Sequence, residues 1–187
     1  MSASTDLPAA AAAIAGHLTR SRRTLHGAPE LGLVLPQTQA LVLSELERIG
    51  VDSVLRGKAL SSVVAEVRGT APGPRRTVAL RADMDALPLS EHNDLPFASR
   101  HAGCMHACGH DAHVAMLLGA AELLAARRHA FAGTVRLLFQ PGEEGFGGAA
   151  VMIDEGALDG VDAAFALHVE PSTPEGILGV RRGTIMA

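Results

Sequence analysis

The chain has 187 residues, about the length of one domain, and 48% of them are apolar, enough to bury a core and to exclude a disordered linker or tail. Only 3% are aromatic, with no Trp and no Tyr, which leaves few rings on which a single-stranded nucleic acid could stack. Sixteen Lys and Arg against 20 Asp and Glu give a net charge of −4, the wrong sign for a partner that reads a phosphate backbone.

The N-terminal alanine run carries Asp6 and no basic leader, so it reads as a helix and not as a signal peptide. The longest apolar stretch, between His113 and Arg127, is broken by Glu122 and falls short of the ~18 residues that a membrane span requires. The sequence therefore predicts a soluble, cytoplasmic protein with no membrane partner. Cys104 and Cys108 stand four apart, which matches neither a disulfide scaffold nor a CxxC zinc knuckle; a reducing compartment with liganding or packed thiols is expected.

Asp6 and Pro8 open a first helix that runs to about Leu25, where His26-Gly27-Ala28-Pro29 stops it. Pro36 opens a second, lined by Leu41, Leu43, Leu46 and Ile49 and closed by Gly50. The period then changes: Val54-Leu55, Ser62 to Val67 and Thr77 to Leu80 read as strands. A helix over 110–128 places Val114, Leu117, Leu118, Ala121 and Leu124 on one stripe with little polar surface left, so it is expected to be buried. A strand from Thr134 to Phe139, a helix from Ala149 to Glu155 and a strand from Ala163 to Leu167 follow. This alternation predicts an α/β fold, a mostly parallel sheet flanked by helices.

Open α/β sheets bind ligands beyond the carboxyl ends of their strands. There the sequence places Arg81, Asp83 and Asp85, then Gln140, Glu143 and Glu144, then His168. A fourth cluster, Met105-His-Ala-Cys-Gly-His-Asp-Ala-His113, lies at the mouth of the buried helix. Carboxylate, imidazole and thiolate converging from four loops suit a divalent transition metal such as Zn, Mn, Co or Ni. Taken singly, a Glu-Glu pair is more often a solvated turn and a lone His a structural one; only the combination points to a site. Cys104 reads as a packed thiol, His17, His101 and His129 as surface, and His113 equally as core packing or as a donor behind a ligand. A structural zinc module would need Cys104 and Cys108 on one ion.

Arg81-Ala-Asp-Met-Asp-Ala-Leu-Pro88, Met105-His-Ala-Cys-Gly-His-Asp111, Gln140-Pro-Gly-Glu-Glu-Gly145 and Leu167-His-Val169 together resemble the amidohydrolase branch of the aminoacylase/carboxypeptidase family of dinuclear metallopeptidases. That branch includes hippurate hydrolases, N-acyl-amino-acid amidohydrolases and indole-3-acetyl-amino-acid hydrolases. The resemblance runs from about Arg22 to the end of the chain; Gly142 and Ala112 stand where the family more often has Ala and Gly. It implies two divalent metal ions, Mn²⁺ or Zn²⁺, with Co²⁺ or Ni²⁺ also compatible. Cys108 would bridge the two, His110 and His168 would hold one, and Glu144 the other. Glu143 would be the general acid/base, and Asp83 and Asp85 would orient a ligand imidazole from behind.

The resemblance also implies a discontinuous catalytic domain. In the family a lid and dimerisation domain is inserted after a segment resembling Arg182-Gly-Thr-Ile-Met-Ala187, and the catalytic domain then resumes. Residues 1–187 would thus be the N-terminal portion of the catalytic domain, without the lid, its substrate-contacting histidine and a last ligand histidine. The implied substrate is a small N-acyl amino acid, and a homodimer is expected only with the lid present. The alternative is a non-catalytic metal-binding remnant or interaction module of the same fold. The apolar positions of the helix over 110–128 and of the strand ending at Phe139 are expected to be left exposed, and the chain alone to be inactive.

Overall fold

The computed structural model describes residues 6–180; the 182–187 segment lies outside them. Helix α1 (Leu7–His26) begins where the Asp6 carboxylate accepts the Ala9 N–H. Helix α2 (Pro36–Ile49) has Leu35 before it, which cannot cap. The Glu30 carboxylate does so from a distance, accepting the N–H groups of Gln37 (3.1 Å) and Thr38 (2.8 Å). Gly50, at φ 73°, closes α2 by donating to the carbonyls of Leu46 and Glu47, a conformation open to glycine.

Five strands follow: β1 (Ser53–Arg56), β2 (Val63–Arg68), β3 (Thr77–Asp83), β4 (Thr134–Gln140) and β5 (Ala163–Ala166). Helix α3 (His110–Ala125), followed by a 3₁₀ turn at Arg128–Ala130, links β3 to β4, and α4 (Gly148–Asp154) links β4 to β5. The sheet order is β1-β2-β4-β3-β5. The α/β class with flanking helices is as expected, but the sheet is mixed and not mostly parallel. β3 pairs parallel with both β4 and β5, whereas β1–β2 and β2–β4 are antiparallel. The connection over 57–62 is too short for a helical crossover, so β1 and β2 can only form a hairpin. Alternation of helices and strands, which suggested the parallel sheet, begins only at β3.

Side chains alternate between two cores. Val63, Ala65, Val67, Ala82, Leu137 and Phe139 meet Leu25, Val42, Leu46, Val114 and Leu118 of the three long helices. On the other face Ala79 and Leu138 meet Met152, Ala157 and Leu60. The stripe Val114, Leu117, Leu118 and Ala121 of α3 is buried as its composition requires, and Phe139 is fully covered, contrary to the expectation that these expose apolar surface; Met116 of the same helix is open. Large apolar side chains are open on and just after β5, where Phe165 and Leu167 are each 60% exposed, and also elsewhere, as at Leu55 of β1 and at Val34. No helix among the described residues is long and apolar enough to cross a membrane.

Glu30 connects this frame to the functional edge, because its carbonyl also accepts the Ala86 N–H at 2.8 Å, next to Asp85. Replacing Glu30 by Ala should remove the side-chain cap of α2 and cost about 1–2 kcal/mol. Thermal unfolding should report this as a midpoint lowered by roughly 2–8 °C; an unchanged midpoint would show that water caps α2 equally well.

Candidate metal centre

Because β3 lies between β4 and β5 in parallel register, the carboxyl ends of all three strands stand side by side. Asp83 ends β3, with Asp85 two residues beyond; Glu143 and Glu144 follow β4, and His168 follows β5. The N-terminus of α3 brings Cys108 and His110 to the same edge. Gly109, at φ 85°, makes the turn between them. All the residues singled out from the sequence are therefore at one edge.

His110 is at the centre and is 1% exposed. Its Nδ1 lies 3.7 Å from Asp85 Oδ1, and its Nε2 lies 3.7 Å from Asp83 Oδ2 and 3.8 Å from both Glu143 Oε2 and Glu144 Oε1. These separations are too long for formed hydrogen bonds, and both ring nitrogens are buried without a partner among the described residues. Burial disfavours the charged ring, but the carboxylates of Asp85 and Asp83 outweigh it and raise the pKa above the usual histidine value.

The two aspartates are themselves anchored. Asp85 accepts the backbone N–H groups of Glu143 (2.9 Å) and Glu144 (3.0 Å), so one carboxylate both faces His110 and shapes the Glu-Glu loop. Asp83 accepts from His113 Nδ1 and Arg81 Nη1, each at 2.6 Å. Burial pushes the pKa of both acids up; His113 and His110 at Asp83, and His110 and the two amides at Asp85, bring each below the ordinary carboxylate value. The adjacent glutamates diverge: the Glu143 side chain is 43% exposed, while Glu144 Oε1 is buried and has no hydrogen-bond partner.

Cys108 Sγ lies 3.3 Å from His168 Nε2. His168 Nδ1 donates to the Val169 carbonyl at 2.6 Å, which leaves Nε2 as the acceptor atom that faces the thiol. Burial, together with the charges of Glu144, Glu143 and Asp83, pushes the Cys108 thiol up to about 11. In the absence of a cation this sulfur is a thiol. Cys104 is buried away from the cluster, as a packed thiol should be.

A second polar cluster was not anticipated. His26 is buried, with Nδ1 2.8 Å from Asp111 Oδ2 and Nε2 3.2 Å from Glu91 Oε1; Arg22 Nε adds a bond to Asp111 at 2.7 Å. It locks α1 to the start of α3 and to the loop before it. In the sequence His26 marks a helix stop, and the one signal of a further role is Asp111 beside His110, since Asp111 lies 85 residues from His26 and 89 from Arg22 in the chain. His106 is also buried beside this cluster, and burial lowers its pKa to about 4.

The donor set fits divalent cations. Cys108, His110 and His168 offer ligand atoms within 4.8 Å of one another, and so do His110, Glu143 and Glu144. Two ligands sharing one tetrahedral zinc stand ~3.5 Å apart for sulfur and nitrogen, close to the Cys108–His168 separation. Buried, unpartnered His110 nitrogens and Glu144 Oε1 are costly unless a cation completes them.

Residues 79–183 match the model of the peptidase family M20/M25/M40. The chain belongs to that family. It is 50% identical over 169 residues to thermostable carboxypeptidase 1 of Saccharolobus solfataricus, covering 89% of this chain and 42% of that protein. It is 46% identical over 167 residues to N-acetyl-L-cysteine deacetylase of Bacillus subtilis, covering 89% and 39%. Among solved structures, a dinuclear metal-binding peptidase of the M20 family from Bacillus subtilis superposes with a TM-score of 0.85 at 43% identity, covering 91% of this chain and 47% of that one. The chain thus spans less than half the length of the curated relatives it matches.

Asp85 should organise the Glu-Glu loop even without metal. Asp85→Ala should release the Glu143 and Glu144 amides, raising their hydrogen-exchange rates about tenfold or more, the worth of a bond to a charged acceptor. Unchanged exchange at both amides would show that the loop holds its shape without that carboxylate.

Proposed function

We propose that this chain is part of the catalytic domain of a metal-dependent amidohydrolase that cleaves the amide bond of N-acyl amino acids or related small peptide-like conjugates. The observation that carries the reading is the buried, unpartnered His110, faced by four carboxylates and by the Cys108–His168 pair. The names of the relatives, a carboxypeptidase and a deacetylase of an N-acetyl amino acid, support an acyl–nitrogen bond as the target.

Cys108, His110, Glu144 and His168 would hold two divalent ions, with Cys108 shared. Such ions supply a Lewis acid for the amide carbonyl and lower the pKa of water to roughly 7. Thiolate and imidazole favour zinc, and the carboxylates make manganese equally suitable; cobalt and nickel fit the same donors. Asp85 would hold His110 in place through Nδ1, leaving Nε2 free to ligate, and Asp83, which accepts from His113 and Arg81, would steady the ligand imidazoles from behind.

Glu143 would carry the proton. Its Oε2 lies 3.8 Å from His110 Nε2, at the edge of the cluster, and the side chain is accessible to a substrate. The carboxylate takes a proton from water as the water attacks the amide carbonyl, and returns it to the departing amine nitrogen. Glu144, tucked inward, would ligate instead. The cytoplasm, where thiols stay reduced, suits an exposed-edge cysteine that must remain free.

A chimera in which this chain replaces the matching part of the Bacillus subtilis deacetylase provides the test. Glu143→Gln should cut hydrolysis of N-acetyl and N-benzoyl amino acids by about 10²–10⁴ while the metal content stays near that of the parent. Glu144→Gln should instead lose metal. The reverse pattern would exchange the two roles, and a metal-loaded chimera inert on every acyl amino acid would overturn the proposed activity.

A further inference from the structure

His113 is 3% exposed, lies one turn along α3 from His110, and has both ring nitrogens engaged. Nδ1 is 2.6 Å from Asp83 Oδ1, and Nε2 is 2.9 Å from the backbone nitrogen of Val169. The Val169 N–H can only donate, so Nε2 accepts, the ring proton resides on Nδ1, and that proton goes to Asp83. His113 therefore ties the end of β3 to the residue directly after His168.

β5 pairs with β3 as far as Ala166, and beyond that pairing little else among the described residues holds His168 where it is. β5 is exposed along its length, and His168 itself is exposed. Its Nδ1 bonds only to the carbonyl of its own neighbour. Besides the Cys108 contact, the segment is placed by Val169: its N–H is on His113, and its side chain packs so closely on Gly109 that a Cβ there would collide with Val169 Cγ2. The His113 and His168 rings meet edge to face with centroids 4.8 Å apart.

We propose that His113 is a positioning residue that sets where His168 stands relative to Cys108 and His110, by holding the Val169 amide. The role rests on the reading of His168 as a metal ligand. It makes the Val169 bond, and not the Asp83 bond or the bulk of the ring, the part that controls metal affinity.

Two amide substitutions separate the bonds. Asn places an N–H near the position of Nδ1 and keeps the bond to Asp83; Gln places a carbonyl oxygen near Nε2 and keeps the bond from Val169. In this chain, His113→Asn should lower Zn²⁺ affinity about 10–100-fold, measured by competition with a chromophoric chelator. It should weaken the thiolate-to-metal charge-transfer band with Co²⁺ and speed exchange of the Val169 amide in the metal-free protein. His113→Gln should restore all three readouts, whatever either variant does to the melting temperature. Equal affinity loss in both variants, or a Val169 amide indifferent to His113→Asn, would overturn the proposal. His168→Ala separates this failure from that of the site: if it leaves Zn²⁺ affinity unchanged, His168 is not a ligand and the positioning role falls with it. If His168→Ala weakens binding and His113→Asn does not, the site reading stands and only the role of His113 is wrong.

Discussion

A buried imidazole among carboxylates is the constraint on which the functional edge depends. His110 has almost no contact with solvent, and its ring forms no hydrogen bond among the described residues, yet it sits under 4 Å from oxygens of Asp83, Asp85, Glu143 and Glu144. Four acids this close repel one another, and burial adds to the cost of each charge. The chain offsets part of this with donors that are themselves fixed: Arg81 and His113 on Asp83, and two backbone amides on Asp85. The oxygens left unmatched, with the Cys108 sulfur, face inward where cations would complete them.

The sheet makes that arrangement stable against slippage. Asp83 pairs in register with Gln140, and Arg81 bridges the two by donating to both side chains. A shift of one residue between β3 and β4 would turn Leu137 and Phe139 out of the core, so packing energy guards the alignment of the strand ends. The His26–Asp111 network then fixes the rotation of α3 and with it the direction of His110. On the β5 side the frame is thinner: beyond the pairing with β3, the segment after the strand is held by the His113–Val169 bond, the packing of Val169 on Gly109 and the Cys108–His168 contact.

Much of this was legible in the sequence. The helix ends at Asp6 and Gly50 are set by local chemistry, and the strands by short apolar runs, so their positions follow from nearby residues. Residues just beyond β3, β4 and β5 could be gathered at one edge because a parallel arrangement orders its ends. The β1–β2 hairpin was missed because the alternation rule was extended to strands that no helix separates. The buried state of His26, the Glu30 cap and the choice for His113 between packing and donation were not legible. Each depends on a contact whose partner is set by the fold and not by spacing. His113 proves to be both fully packed and a donor, two roles that a periodicity argument treats as exclusive.

X-ray absorption at the zinc edge of the loaded chain tests directly whether Cys108 and the histidines would share a cation at this edge. The expected spectrum has a sulfur scatterer at about 2.3 Å together with nitrogen or oxygen neighbours near 2.0–2.1 Å, with the sulfur contribution lost in Cys108→Ser and retained in Cys104→Ser. A zinc shell made only of nitrogen and oxygen, or one whose sulfur survives Cys108→Ser, would contradict it.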